Sequence, residues 1–582
     1  MTGKRTEPDN PGLPITGEQY EKSMAREVRK ALGLYYTPGY IIDYILQRTV
    51  SEIDVRDDPF VSILDPACGS GSFLLAAYDI LRAKFVAALP ELQKKYGSLT
   101  YEWQQGNCQI TLSGGEYWQE EHIHYHILTH CLFGADIDRA AVRLAAEHLS
   151  LRDAACEVWP RHLIACDSLM HWEARSQPAG ETESAAAGFW QRTFDYIVGN
   201  PPYIPITQMT QEQKQYYRAR YQTATGRMNA FALFLERCIA KTGKKAGFIV
   251  PGRLLLNTQY GSIRRLVLEN TWIEEIFETD AAVFPEAVVD TVILILNRNK
   301  RWAPGDKTLI RRMTRAGCSE QPVEQNRFLA TDHAYIQTHT STAEMGLLQT
   351  IRSRSALLGD IAQVRDGIIQ GRVGNELFLG EKPTHDGYAK PVLFGQDIHC
   401  YQLTPGRQYI WYHSEKLTAL ERQRTAGREI GLRLREPGIF ERPKILSRQT
   451  ADRIIACMDE TGHYYMNTLH SAYVTDPEFN PWYVLAVLNS QLSRFYYTRY
   501  TGEAGQAYAQ VKIANLKGLP IPRADRESQA GIAHLARQLQ NPSTPHDHAG
   551  RQVLFTEIDA RLFQLLRLTP EEVSLAKGTG ER

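Results

Sequence analysis

Residues 194–204 read FDYIVGNPPYI, an apolar run that leaves its strand through Asn200-Pro201-Pro202-Tyr203. Proline fixes φ and also restricts the residue before it, so a polar amide and an aromatic ring are held on a stiff loop. Such a loop is either a plain turn or a device that keeps a polar group and a ring in fixed positions. A second stretch with chemical potential is LDPACGSGSFL, residues 64–74. There a strand ends at Asp65, and Gly69 and Gly71 let a ligand approach the backbone before the next helix begins. The bare N–H groups of that helix start suit a carboxylate or phosphate. The turn lacks the full G-x-G-x-x-G dinucleotide fingerprint. Acids follow the next strands: Asp136 or Asp138 in GADID, placed to accept from ribose hydroxyls, and Asp167 in ACDSL, placed to accept from an adenine amino group. Each acid alone fits a cap or a turn. Acids after three successive strands, with a glycine turn, point to an adenosine-like cofactor in the crevice at the strands' carboxyl ends.

The elements that must position these residues alternate. A charged helix is expected from Gln19 to about Leu34, and Thr37-Pro38 opens another with a hydroxyl cap and an initial proline. VSILD, CLFGAD, LIACDSL, FDYIVG, KAGFIVP and DTVILILNR read as strands separated by helices such as FALFLERCIAKTG. Strands alternating with helices predict an α/β fold with a doubly wound, mainly parallel, Rossmann-like sheet over residues 35–297. After about residue 300 short β-like pieces, turns and aromatics dominate, which predicts a separate α+β domain. The expected boundaries are a flexible tail 1–15, a first domain 16–300, a connection 301–350, a second domain 351–530 and a helical tail 531–582.

At 582 residues the chain is too long for one core. Its formal net charge of zero gives no global case for a nucleic-acid partner. Residues 1–300 carry 31 Lys/Arg against 36 Asp/Glu and the remainder 35 against 30, a weak asymmetry. The stretch after Tyr203 is locally basic: Lys214, Arg218, Arg220, Arg227, Lys244, Lys245, Arg253, Arg264 and Arg265, read as a solvated helical face or as an anion-facing one. Nine cysteines without a CxxC pair suggest neither a zinc site nor a redox motif. With a polar, proline-broken start and no long apolar run, the expectation is a soluble intracellular protein without a membrane partner. His122, His124 and His126 fall at strand spacing and are expected to face solvent rather than bind metal.

In this order, YYTP, DPACGSGSFL, GADID, CDSL, NPPY, GFIVP and VFPEAVVDTVILIL resemble the motifs of gamma-class adenine-N6 DNA methyltransferases, in particular the TaqI-like branch of restriction–modification systems. The likeness is strong over residues 33–297 and weaker beyond, where LGDIAQVRDGIIQGR, VLAVLNSQLSRFYY and LPIP look like a target-recognition domain. The resemblance implies a methyltransferase sheet followed by that α+β domain, in bacterial or archaeal cytoplasm. It implies S-adenosylmethionine as cofactor, with no metal required. Tyr36, Thr37, Pro38, Asp65, Ala67, Gly69 and Gly71 would contact it around the methionine end and the glycine turn. Asp136 would take the ribose, and Asp167 with Ser168 the adenine edge. Asn200, Pro201, Pro202 and Tyr203 would form the catalytic loop, and Phe284 would pack against the base beside Tyr203. One departure stands out: Asp65 and Asp136 are about 70 residues apart rather than about 20. An insertion near 84–128 is expected to fill the difference.

Under that resemblance the stiff loop acquires a purpose. An exocyclic adenine amine is a poor nucleophile because its lone pair is delocalised into the ring. Two fixed acceptors, the Asn200 side-chain oxygen and the Pro201 carbonyl, can orient its hydrogens while Tyr203 stacks on the base. The implied partner is a short motif in double-stranded DNA, with a cognate restriction endonuclease acting on the same site. The same loop chemistry serves RNA or protein-glutamine acceptors, and a DNA-binding subunit needing a partner is a further reading. Arg365, Arg372, Arg442, Lys444, Arg448 and Arg494 are the expected DNA-contacting candidates of the second domain, and ERPK (Glu441 to Lys444) reads as a salt-bridged turn.

Overall fold

The computed structural model describes Gln19 and residues 37–578, apart from 106–107, 154–155, 157, 175–179, 227, 280–290, 315–316, 330–332, 372–377, 381–387, 414, 416–417, 420–423, 426–427, 430, 452, 502–509 and 542–547. Tyr36, Phe284, Arg227 and Arg372 therefore lie outside the described residues. The chain divides into two compact units, Met1–Ile336 and Gln337–Arg582.

The first unit is built on a nine-stranded sheet. Its strands are β1 (Ile63–Asp65), β4 (Leu132–Asp136), β5 (Leu163–Ala165), β6 (Phe194–Gly199), β7 (Thr242–Pro251), β8 (Trp272–Thr279), β9 (Thr291–Asn297), β10 (Lys307–Thr314) and β11 (Gly317–Glu324). A separate hairpin supplies β2 (Thr100–Gln105) and β3 (Cys108–Ser113). The sheet order is β11-β10-β8-β9-β7-β6-β1-β4-β5. The run β5-β4-β1-β6-β7 is parallel throughout, and β9 enters antiparallel between β7 and β8. Strands such as β4 (LFGAD) and β9 (TVILILN) are almost wholly buried, which is why they read as continuous apolar runs.

Chain direction across the sheet reverses beside β1: β4 and β5 lie on one side, β6 and β7 on the other. The carboxyl ends of β1 and β6 thus flank a topological switch point, where open α/β sheets leave a crevice. Helices feeding it include α1 (Gly39–Gln47), α2 (Ser72–Tyr96), α3 (Glu120–His126), α4 (Arg139–Ser150), α5 (Glu181–Gln191), α6 (Gln211–Arg220), α7 (Ala230–Lys241) and α8 (Gly261–Asn270).

Several expectations need correction. Residues 301–350 are not merely a connection: β10 pairs parallel with β8, and β11 closes the sheet edge, so the first unit runs on to Ile336. The stretch around 84–128 continues α2 to Tyr96, turns through the β2–β3 hairpin and ends in α3. His122, His124 and His126 sit on that helix and are buried, not on a solvent-facing strand. Their i, i+2 spacing mimics strand alternation, but the side chains enter an aromatic cluster with Tyr78, Phe85, Tyr117 and Trp118. His126 lies between two partners: Nε2 is 2.6 Å from the Pro59 carbonyl and Nδ1 is 2.8 Å from the Tyr117 hydroxyl. A carbonyl only accepts, so Nε2 carries the proton and Nδ1 accepts from the tyrosine. Among the described residues no group of three or more His, Cys, Asp or Glu side chains could hold a metal ion.

The second unit contains a four-stranded antiparallel sheet ordered Ala362–Asp366, Leu469–Val474, Lys444–Arg448 and Ala456–Asp459. A second small sheet joins Phe378–Gly380, Tyr409–Trp411, Ala389–Leu393 and Tyr464–Tyr465. The expected separate tail from 531 onward is part of this unit: Ile532, Leu539, Ile558 and Leu562 share one core with Val364, Ile445 and Tyr483. Lys444 begins a strand rather than a salt-bridged turn, and its partner is Asp459 at 2.6 Å, with both side chains fully buried. It is thereby removed from the surface candidates. Glu441 instead accepts from the Tyr464 hydroxyl at 3.1 Å. No helix among the described residues is long and apolar enough to cross a membrane.

Candidate functional site

A cavity of about 250 Å³ opens at the carboxyl ends of β1, β4, β5 and β6. Thr37, Asp65, Ala67, Gly69, Asp136, Asp167, Ser168, Asn200 and Pro202 all line it. Residues scattered over more than 160 positions of chain are brought together because Thr37 precedes α1 and the others end or follow parallel strands of one sheet.

The glycine turn is tied down at both ends. Cys68 N donates to the Ala135 carbonyl at 3.1 Å, and Gly69 N donates to Asp136 Oδ2 at 2.9 Å. Gly69 and Gly71 hold φ of +50° and +90°, which glycine adopts without the Cβ penalty. Gly71 does not line the cavity; a Cβ there would come 2.8 Å from that of Ala145, so its bareness serves helix–helix packing. Asp138 lines the cavity beside Asp136 and also caps α4 by accepting from Ala140 N at 2.9 Å.

Three buried or nearly buried carboxyls face one small space. Asp65 Oδ1 accepts from Ala67 N at 3.1 Å, and burial pushes this carboxyl up to about 8, with Asp136 contributing repulsion. Burial likewise raises Asp136 and Asp167, opposed by backbone N–H groups from Asp138 and Gly69 in one case and Leu169 in the other. Carboxyls held this way favour a ligand that brings positive charge or hydroxyl and amine donors. Ser168 Oγ donates to the Pro66 carbonyl at 2.6 Å, joining the β5 end to the glycine turn. Behind it the buried Arg237 donates to the Ser168 carbonyl at 3.2 Å and pairs with Glu173 at 2.7 Å.

The Asn200 loop closes the same space. Asn200 Nδ2 donates to Thr37 Oγ1 at 3.1 Å. Gly199 lies directly on Asp65, where an added Cβ would come 2.7 Å from Oδ1. Pro201 is buried and Pro202 lines the cavity, whereas Tyr203 turns away from it. The Tyr203 hydroxyl donates to the Ile249 carbonyl at 3.2 Å, and its ring meets Phe231 edge-on at 6.2 Å. Pro38 caps α1 and does not line the cavity, and α1 begins one residue later than the Thr37-Pro38 pattern suggests.

The apolar half of the cavity was not foreseen. Phe73, Ile137, Leu169, Met209, Tyr217 and Phe234 line it. Ile137 is 63% exposed although it sits between two acids, a position that presents a flat apolar face to any planar ligand beside Asp136. Its signal in the sequence is the single apolar residue inside GADID. Met209, Tyr217 and Phe234 come from the segment after the loop, and nothing in their local spacing separates them from ordinary core.

The N-6 DNA Methylase family model matches residues 14–346, and the TaqI-like C-terminal specificity domain model matches residues 390–521. Among relatives, the type II restriction enzyme and methyltransferase RM.Eco57I of Escherichia coli is 24% identical over 289 residues, covering 45% of this chain and 27% of that one. The adenine-specific methyltransferase PglX of Streptomyces coelicolor is 24% identical over 346 residues, covering 52% of this chain and 26% of its own. This chain thus spans about a quarter of the length of those two relatives. The type II methyltransferase M.PaeR7I of Pseudomonas aeruginosa is 22% identical over 455 residues, 67% of this chain and 73% of that one. In fold, the type IIL restriction-modification enzyme MmeI in complex with DNA matches with a TM-score of 0.58 at 12% identity, covering 97% of this chain and 80% of that structure.

Proposed function

Because this chain belongs to the N-6 DNA methylase family, we propose that it transfers a methyl group from S-adenosylmethionine to the exocyclic N6 amine of an adenine flipped out of a short double-stranded DNA motif. The setting is a restriction–modification system, where the mark protects host DNA. The observation that carries this reading is the meeting of Asn200, Asp65, Asp136 and Asp167 at one cavity, with Gly199 seated on Asp65.

The residues present suit the cofactor. Asp65 and the glycine turn offer a carboxyl and bare backbone to a charged, polar end. Asp136 offers acceptors to a diol, and Asp167 an acceptor to an amine. Ile137 and Phe234 offer apolar faces to a purine. Bound there, S-adenosylmethionine supplies an electrophilic methyl group on a sulfonium centre.

The chain supplies orientation. The Asn200 amide oxygen and the Pro201 carbonyl accept the two hydrogens of the target amine, so its nitrogen can pyramidalise and aim its lone pair. The bond from Nδ2 to Thr37 Oγ1 holds the Asn200 side chain at the cavity. A neutral acceptor suits a dry pocket better than a carboxylate would, since it need not surrender a charge. Tyr203, rotating from its Ile249 partner, stacks on the base, and such stacking contributes about 1–3 kcal/mol against the cost of flipping. Phe284 would complete the base pocket. In the second unit, Arg365, Arg442, Arg448 and Arg494 remain candidate ligands for phosphates or base edges, and a cognate endonuclease would share the site they select.

The test is incorporation of tritiated methyl groups into unmethylated plasmid DNA, followed by nucleoside chromatography. Label in N6-methyl-2′-deoxyadenosine supports the reading. Label only in RNA or in protein glutamine, offered in parallel, overturns it.

A further inference from the structure

The basic residues after Tyr203 divide sharply in the folded chain. Lys244 pairs with Asp58 at 2.7 Å, and Lys245 with Glu52 at 2.6 Å and Glu274 at 2.7 Å. Arg264 is fully buried and donates to the carbonyls of Leu254, Asn257, His333 and Ala334. Arg265 faces Glu269 at 3.6 Å. On α6, by contrast, Lys214, Arg218 and Arg220 make no ion pair among the described residues, and Arg218 and Arg220 are exposed. Glu212 is the only acid on that helix.

A different stripe of α6 belongs to the cavity; Arg220, three residues after Tyr217, continues that stripe, whereas Lys214 and Arg218, four residues apart, share another. Gln213 and Tyr217, one helical turn apart, line the cavity, and Met209 lines it from just before the helix. Tyr217 is the only buried residue of α6, so the helix owes little of its position to the main core. It is held instead by a small cluster of Leu169, Met209, Tyr217, Tyr221 and Phe234, four of which also line the cavity. Two tyrosine hydroxyls pin it to the end of β5: Tyr221 donates to the Leu169 carbonyl at 2.6 Å, and Tyr216 accepts from His171 N at 2.8 Å. An element with so little buried apolar surface belongs to the low-stability end of local opening.

The geometry points to α6 as a lid on the cofactor cavity that is latched by the phosphates of the substrate duplex through Lys214 and Arg218. This inference rests on the DNA methyltransferase reading. The helix starts eight residues after Tyr203, so a duplex delivering a base to Asn200 brings its backbone past this end of the sheet. Phosphates seated on Lys214 and Arg218 hold the Gln213–Tyr217 stripe against the cavity. S-Adenosylhomocysteine left after transfer is then retained until the DNA departs, and methylation proceeds one site per encounter.

The test measures release of radiolabelled S-adenosylhomocysteine by chase, with and without unmethylated plasmid DNA, alongside methyl incorporation. For the wild-type chain, DNA is expected to slow release about tenfold. In the double variant Lys214→Ala, Arg218→Ala, release without DNA should stay within twofold of wild type while the slowing disappears. The log–log salt slope of DNA binding should also become shallower by about 2, near 0.9 for each phosphate no longer neutralised. The single variant Arg218→Glu, on an exposed site, should abolish the slowing even if the double variant folds poorly. Methyl incorporation with DNA-independent release overturns the latch and leaves the methyltransferase reading intact, as does slowing that survives both variants. Absence of incorporation into DNA overturns both.

Discussion

Thr37 Oγ1 accepts a hydrogen bond from Asn200 Nδ2 at 3.1 Å across 163 residues of chain. The bond joins the start of α1 to the loop leaving β6 and holds the Asn200 amide in place. Thr37→Val keeps the shape and removes the partner. Turnover is expected to fall about three- to tenfold, the scale of one hydrogen bond, while cofactor affinity changes less than twofold. Unchanged turnover in Thr37→Val would mean that the amide is oriented by something else.

Asn200→Ala removes the acceptor itself. Loss of about 10²–10³ in turnover is expected, as for other fixed polar groups at a reacting centre. S-Adenosylmethionine affinity, read by calorimetry, should stay within a fewfold of wild type. Parallel loss of binding would place Asn200 in the cofactor site rather than at the acceptor.

Asp65 gives a pH dependence with a definite sign. Burial raises its carboxyl from 3.8 to about 8, so the ligand-free protein keeps the proton at neutral pH. That raised value makes its contribution to folding full below about pH 4 and lost as pH rises through about 8. A cationic ligand beside it restores the carboxylate, so binding at pH 7 should release close to one proton. Calorimetry in two buffers of different ionisation enthalpy reads this directly. Asp65→Asn should bind without that release, and equal release in both proteins would remove Asp65 from the account.

His126 titrates in the opposite sense. Burial, together with His130, lowers it from 6.5 to about 3, so the folded chain holds it neutral. Its stabilisation is present above the unfolded value and is lost as pH falls from 6.5 toward 3. At pH 5 the loss is about 2 kcal/mol from this group. His126→Gln should flatten the acid limb of a urea-denaturation series between pH 7 and pH 5. An unchanged limb would place the acid sensitivity elsewhere.

In the second unit, Lys444 and Asp459 are both fully buried and 2.6 Å apart. Removing one partner leaves the other charge uncompensated, at about 3–5 kcal/mol. Lys444→Met should lower the unit's urea midpoint accordingly and leave the salt slope of DNA binding unchanged. A shallower slope at wild-type stability would return Lys444 to the DNA surface.

What the sequence made legible was whatever is local. Asp65, Gly69, Asp136 and Asp167 each follow a strand directly, so reading the strands places the acids at one edge of a sheet. Tyr217 and Phe234 could not be found that way, because their entry into the cavity depends on how α6 and α7 settle after the loop. The histidines of α3 misled because alternation along seven residues fits a strand, while the decisive fact is the aromatic cluster they enter. β10 and β11 were missed because the edge strand β11 and its neighbour β10 carry polar, half-exposed residues that lack the buried-strand pattern. Lys444 read as a surface charge because its partner Asp459 lies on the neighbouring strand.

The most direct measurement is methylome sequencing of a methylation-free bacterial host expressing this chain, beside the same host expressing Asn200→Ala. N6-methyladenine at one short motif with the wild-type chain, absent with the variant, is the predicted result. An unmodified genome in cells that hold soluble wild-type protein, or a mark that persists in Asn200→Ala, would contradict it.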